Sequence, residues 1–242
     1  MPKILVIIPA YNEEDAILGT VRDLQQTFPD ADCLVINDCS RDRTRQLLQE
    51  HHINHVDLPL NLGIGGGVQT GYRYALEHHY DIAIQFDGDG QHRADCISTL
   101  IQPLLDGTAD MTIGSRFVGG DKKGFQSSAL RRMGITILSS LIHLCTGQTV
   151  QDATSGFRAC NADLIQLFAD SYAQDYPEPE AIVTALVSGY RVREVPVIMN
   201  ERQGGVSSIR ALKSVFYMIK VSLAVLLAGL RLSSRKELKH RA

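Results

Sequence analysis

Apolar runs of strand length alternate with amphipathic stretches through the first half of the chain, and that alternation predicts a mostly parallel sheet covered by helices. Ile4 to Ile8 is continuously aliphatic, as suits a strand buried on both faces. Asn12 is placed to cap a following helix with Glu13, Glu14 and Asp15 in its first turn and Ile17, Leu18, Val21, Leu24 and Phe28 as its inner stripe. A second strand, Cys33 to Ile36, ends in Asn37-Asp38, with Ser40 as the cap of a helix reaching about Glu50. A third strand near Val56 leads into a glycine-rich loop, Asn61 to Gly67, and a helix from about Val68 to His78. Strand four, Ile82 to Phe86, runs into Asp87-Gly88-Asp89-Gly90, and strand five is Met111 to Ile113.

After Ile113 the alternation loosens into a polar loop from Ser115 to Ser128, a helix near Leu130 to Leu144 and a turn-rich Asp152 to Arg158. A helix near Ala181 to Val187 and a strand near Val192 to Val197 follow. The 242 residues suit one α/β domain over 1–208 with a helical appendage over 209–242. Hydrophobic residues at 44% exclude a disordered or low-complexity chain. Five cysteines without a C-x-x-C pair argue against a disulfide framework and a thiolate zinc site, and read as reduced cytosolic thiols. The run from Lys3 to Ile8 is too short for a signal peptide and stops at Pro9.

The charge pattern is uneven. From Glu201 onward nine Lys/Arg face two acids, a balance of +7, whereas the rest carries 15 basic against 25 acidic residues, or -10. A basic, partly apolar tail on an acidic body points to a membrane surface or phosphates. Nucleic acid is disfavoured because an aliphatic run separates the cations.

The sharpest chemical feature is Asp87-Gly88-Asp89-Gly90-Gln91-His92 directly after a buried strand. Two carboxylates one glycine apart, at the carboxyl edge of a parallel sheet, can reach one hard cation, Mg²⁺ or Mn²⁺, with positions left for phosphate oxygens. Asp-Gly is also turn chemistry, but a strand ending in two acids needs a reason to gather charge. Strand one delivers Pro9, Tyr11 and Glu13 to the same edge and strand two delivers Asp38, so that rim could read a nucleobase and ribose. Gly63 to Gly67 follows the third strand and lacks the acidic ribose reader of a dinucleotide loop. His51, His52 and His55 read as solvated rather than metal-binding.

These segments, together with Gly114-Ser115-Arg116 and Ser155-Gly156-Phe157, occur in the order and spacing of the family 2 inverting glycosyltransferases. Within them, the chain most resembles dolichol-phosphate mannose synthases and bacterial polyprenyl-phosphate relatives. The resemblance covers about Lys3 to Ser208 and implies a GT-A fold, a nucleotide-diphosphate sugar as donor and a polyprenyl phosphate as acceptor. It puts Pro9, Tyr11, Glu13, Asp38 and Gly63 around the nucleoside, and Asp87, Asp89 and Gln91 on the metal and diphosphate. Arg116, and Arg131 or Arg132, match arginines that hold phosphate, although Arg131 and Arg132 also suit an exposed helix face. Asp152 and Ser155 fall on the acceptor side, and Arg202 and Ser207 in a lid loop over the diphosphate.

Asp152 would be the general base for a sugar hydroxyl acceptor. A lipid phosphate is already anionic and needs cations instead. A non-catalytic sugar-nucleotide scaffold is disfavoured by Asp87, Asp89 and Gln91. Val215 to Leu230 is apolar but, at about 1.5 Å per residue, shorter than a hydrocarbon core of roughly 30 Å, and Lys220 interrupts it. The expectation is a helix lying on the inner face of the cell membrane, or one packed on another subunit or a small membrane-protein partner. A helix that finishes the core is the alternative.

Overall fold

In the computed structural model, residues 2–119, 129–200 and 220–229 are described, with side chains from 132 onward in the second segment. Arg202 and Ser207 lie outside the described residues, as does the side chain of Arg131.

Seven strands form one sheet in the order β3-β2-β1-β4-β6-β5-β7. They are β1 (Ile4–Ala10), β2 (Asp32–Asn37), β3 (His55–Asp57), β4 (Ile82–Gln85), β5 (Met111–Ser115), β6 (Arg158–Asn161) and β7 (Val192–Pro196). The helices are α1 (Ile17–Thr27), α2 (Thr44–Glu50), α3 (Gly63–Glu77), α4 (Ile97–Leu105), α5 (Ala129–Thr146), α6 (Ala162–Asp170) and α7 (Pro177–Val187). Residues 220–229 are helical. Every pairing is parallel except those of β6, which runs antiparallel to both β4 and β5.

All seven residues of β1 are buried. Alternate side chains serve opposite faces: Leu5 and Ile7 join one core cluster with residues of α3, α5, α6 and α7, and Ile4, Val6 and Ile8 join the other with α1 and α4. Two-sided burial explains why the strand reads as an unbroken aliphatic run. Val221 and Val225 belong to the first cluster with Leu138 and Ile142 of α5, so residues 220–229 finish the core on one side.

The predicted helix starts need correction. Ala16, not Asn12, is the N-cap residue of α1, and Arg43, not Ser40, that of α2. Asn12 sits at φ 57°. Its side-chain oxygen accepts from the Arg41 N–H at 2.8 Å, and its own N–H donates to Ser40 Oγ at 3.0 Å. The polar side chains that looked like caps stitch the loops after β1 and β2 to each other. The acids 13–15 consequently precede α1 instead of filling its first turn.

The glycine-rich segment is helix, not loop: α3 starts at Gly63. Both Asp38 carboxylate oxygens accept from its first amides, Leu62 N–H at 2.6 Å and Gly63 N–H at 2.8 Å, supplying the capping acceptor and a negative charge at the helix's positive end. The glycines allow close packing. A Cβ on Gly65 would stand 2.2 Å from the Ala173 carbonyl oxygen, whereas one on Gly67 would meet only ordinary contacts, at 3.7 Å or more. Strand β6 and helices α4 and α6 complete the sheet and its cover without a counterpart in the expected elements.

Gly65→Ala forces main chain against main chain and is expected to destabilise the protein by about 1 to 3 kcal/mol. Gly67→Ala should be neutral or stabilise by up to about 1 kcal/mol through helix propensity. Urea unfolding of the two variants reads the difference directly.

Candidate active site

Six strands point the same way, so their carboxyl ends deliver Tyr11, Asp38, Asp87 and Arg116 to one edge of the sheet. Antiparallel β6 enters from that edge, which brings the preceding segment, Asp152 to Phe157, to the same place. Tyr11 is exposed, while Pro9 and Asp38 are buried. Pro9 backs on Gly67 of α3. The Glu13 N–H donates to Thr44 Oγ1 at 2.9 Å.

The loop 87–92 is tightly made. Asp89 is buried and its Oδ1 accepts from the Gln91 N–H at 3.0 Å, while Asp87 is partly open. His92 folds back so that its Nδ1 accepts from the Asp87 N–H at 2.9 Å. Its ring stacks on Phe157 at 4.8 Å and meets Phe86 edge-on at 5.3 Å. Burial pushes the imidazole down to about 4, against a smaller upward pull from Asp89. Gly156 lies against Asp87: a Cβ there would be 2.8 Å from Asp87 Oδ2 and 3.1 Å from Gln85 Nε2. Asn200, just past β7, donates its N–H to the Gln91 carbonyl at 2.9 Å.

On the other side of Gly156, segment 152–158 is locked by side chains. Asp152, with 0% of its surface exposed, takes a two-pronged grip from Arg116: Nε to Oδ2 at 2.8 Å and Nη2 to Oδ1 at 2.6 Å. The Asp152 N–H in turn donates to Glu194 Oε1 at 2.8 Å. Nη1 of Arg116 has no hydrogen-bond partner among the described residues. Ser155 Oγ donates to the Gly114 carbonyl at 2.7 Å. Arg158, also fully buried, donates to the main-chain oxygens of Ser155 and Glu178, tying the segment to the start of α7. Burial pushes the Glu178 carboxyl above the usual range, with Arg158 opposing. The exposed Arg132 guanidinium lies 5.9 Å from the Phe117 ring centre, and that of Arg116 5.5 Å.

The structure therefore gathers Tyr11, Asp38, Asp87, Asp89, Gln91, Arg116, Asp152 and Ser155 at one edge, with Arg132 nearby through Phe117. Several of them already have internal work: Asp38 caps α3, Asp89 accepts from the Gln91 N–H, Asp152 and Arg116 hold each other and Ser155 holds Gly114. His92, Gly156 and Arg158 were not singled out as site residues, though they stand in the same motifs. Among the described residues no group of three or more His, Cys, Asp and Glu forms a closed metal cage. Two carboxylates with a neighbouring amide side chain fit a hard cation that keeps positions for phosphate or water.

A histidine held neutral by burial has a stability signature. Its unfolded value near 6.5 exceeds its folded value near 4, so the unfolded chain binds more protons between them and stability falls as pH drops through that window. Acidifying the metal-free protein from about pH 7 to pH 4.5 should remove roughly 2 to 3 kcal/mol through this group. His92→Phe is expected to lose correspondingly less on acidification, as read from urea unfolding at the two pH values.

Comparison with known proteins agrees with this geometry. The Glycosyl transferase family 2 model matches residues 5–168. A UDP-N-acetylglucosamine--dolichyl-phosphate N-acetylglucosaminyltransferase from Methanococcus voltae is 30% identical over 80% of this chain and 84% of its own. An undecaprenyl-phosphate mannosyltransferase from Micrococcus luteus is 30% identical over 86% of this chain and 87% of its own. Among solved structures, glucosyl-3-phosphoglycerate synthase from Mycobacterium tuberculosis, crystallised with Mn²⁺, UDP-glucose and phosphoglyceric acid, superposes with a TM-score of 0.66. The likeness is at 19% identity over 94% of this chain and 79% of that one. The sheet and its helical cover are thus a GT-A fold, and the chain belongs to glycosyl transferase family 2.

Proposed function

We propose that this protein moves one sugar, with inversion, from a nucleoside diphosphate donor to a polyprenyl phosphate at the inner face of the cell membrane. The observation that carries the acceptor class is the Arg116–Asp152 pair. The carboxylate available as a base is enclosed in an ion pair, while Nη1 of the arginine, without a hydrogen-bond partner among the described residues, can turn to a phosphate. A hydroxyl acceptor would need that base open to it; a phosphate monoester is anionic near neutral pH and does not. The relatives named above act on dolichyl and undecaprenyl phosphates, which supports the same class.

On this reading, Tyr11 and the rim around Pro9 and Glu13 hold the nucleoside, with Asp38 shaping the rim through α3. Asp87 and Asp89, with Gln91 beside them, would hold Mg²⁺ or Mn²⁺, which would neutralise charge on the donor diphosphate. Arg116 and Arg132 orient the acceptor phosphate, with Arg131 beside them on α5, and Arg202 and Ser207 cover the diphosphate. A phosphate oxygen of the acceptor then forms a bond to the anomeric carbon as the bond to the nucleoside diphosphate oxygen breaks, and no proton need move.

The surface supports a membrane location. Met133, Ile137 and Leu144 are exposed along α5, and Leu223 and Leu227 along residues 220–229, which pack on α5 through Val221, Val225 and Gly229 against Cys145. Cations at Arg231, Arg235, Lys236, Lys239 and Arg241 follow this apolar face in sequence. That combination suits an anionic bilayer surface, each cation near it contributing about 1 kcal/mol. No helix among the described residues is long and apolar enough to cross a membrane.

Two measurements test these proposals. Purified protein given Mn²⁺, undecaprenyl phosphate and a panel of labelled sugar nucleotides is expected to form an acid-labile labelled lipid with at least one donor; none with any donor would refute the acceptor class. Wild type should float with vesicles containing phosphatidylglycerol and not with pure phosphatidylcholine. The Leu223→Glu/Leu227→Glu variant should bind at least tenfold more weakly. Equal flotation of both proteins, or loss of a dimer in place of lost flotation, would overturn the membrane surface as the occupant.

A further inference from the structure

His92 has no part in the chemistry described above, yet it touches the metal loop at two points. Its Nδ1 accepts the Asp87 main-chain N–H, which fixes the ring proton on Nε2. That Nε2 lies 3.6 Å from Asp87 Oδ2, so the imidazole faces both the backbone and the carboxylate of one residue. The ring has little freedom to turn: it is 5% exposed, near parallel to Phe157 at an interplanar angle of 19°, and near perpendicular to Phe86 at 83°. Phe86 and Phe157 also meet edge to face at 5.5 Å, closing a cluster of three rings. Next to Phe157, Gly156 bounds the Asp87 carboxylate from another side, since even a methyl group would collide with it.

We propose that His92 is a positioning residue for Asp87, holding its main chain and carboxylate in the one orientation that meets a divalent cation, with Phe157 holding His92. This inference rests on the reading of Asp87 and Asp89 as the metal pair. His92 is not itself a ligand: one nitrogen is engaged by the Asp87 N–H, and the other turns toward the carboxylate that would do the ligating. The chemistry asks for an acceptor on a flat ring. An aliphatic side chain would fill the space but leave the Asp87 N–H unanswered. A short amide would answer the N–H but lose the stacking.

The test is Mn²⁺ binding, followed by electron paramagnetic resonance in the presence of UDP and, separately, GDP, on the full chain and three variants. His92→Phe keeps a ring and removes the acceptor. His92→Asn restores an acceptor near the Nδ1 position. Phe157→Leu keeps His92 but removes its stack. Loss of an outer partner of a ligand typically weakens metal affinity by about 10- to 100-fold, and that is the expected loss in His92→Phe. His92→Asn and Phe157→Leu, which each keep an acceptor and lose the stack, should both fall between His92→Phe and wild type. In turnover, kcat should drop at saturating donor and be partly restored by raising Mn²⁺, a response that general loosening of the fold would not produce.

Should His92→Phe fail to fold, His92→Asn against His92→Gln makes the same comparison with two amides that place the acceptor differently; the proposal requires Asn to bind Mn²⁺ more tightly. Mn²⁺ affinity in His92→Phe within threefold of wild type overturns the positioning role while leaving the metal pair standing. Absence of Mn²⁺ binding by wild type with either nucleotide overturns the metal pair and this inference with it.

Discussion

The reversal of one strand organises everything at the working edge of this protein. Because β6 runs against its neighbours β4 and β5, the segment that leads into it arrives where the segments leaving the parallel strands depart. Four contacts follow: Asp152 to Arg116, Ser155 to Gly114, Gly156 to Asp87 and Phe157 to His92. A parallel β6 would have sent Asp152 to Phe157 to the opposite edge. As built, segment 152–157 and loop 87–92 are one packed unit, and a displacement in either is felt in the other because the space between them is already filled.

The second organising contact is Asp38 on the amides of α3. It turns a run of glycines with poor helix propensity into the start of a 15-residue helix. The glycines then permit an approach to residues 173 and 174 closer than any side chain would allow. Both oxygens of this carboxylate are engaged by main-chain amides, which fixes the start of the helix at this edge of the sheet. Its burial suits that task, since an acid with both oxygens engaged by main-chain amides has no need of water.

Much of this was legible in the sequence, for a physical reason. Strands buried on both faces must be apolar throughout, so β1, β2, β4 and β5 announce themselves and so do the polar residues that end them. What stayed hidden depends on partners distant in the chain. Asn12 and Ser40 have the composition of helix caps, but each finds its partner in the other's loop, 28 residues away. Arg158-Ala159-Cys160-Asn161 has no strand-like alternation of its own. It becomes a strand because β4 and β5 offer it two ladders of hydrogen bonds, and its arginine is tolerated in the core because three of its nitrogens reach main-chain oxygens. The Arg116–Asp152 pair spans 36 residues, so both members were visible as candidates while their mutual grip was not.

That grip bears on the chemistry. A buried carboxylate tolerates full enclosure only when a cation and hydrogen bonds replace its water, and Asp152 has both, from the Arg116 guanidinium and from the Arg116 main-chain N–H, which donates to Oδ2 at 3.1 Å. Both of its oxygens are engaged by Arg116, and none of its surface is open to an incoming group. On the proposed reading, a sugar hydroxyl, which must lose a proton as it attacks, finds no open carboxylate there. A phosphate monoester has already lost its proton near neutral pH, so an active site built for it can use its acceptor-side carboxylate as a strut for an arginine. On the proposed reading, the burial of Asp152 goes with an anionic acceptor, for which charge and not proton transfer readies the nucleophile.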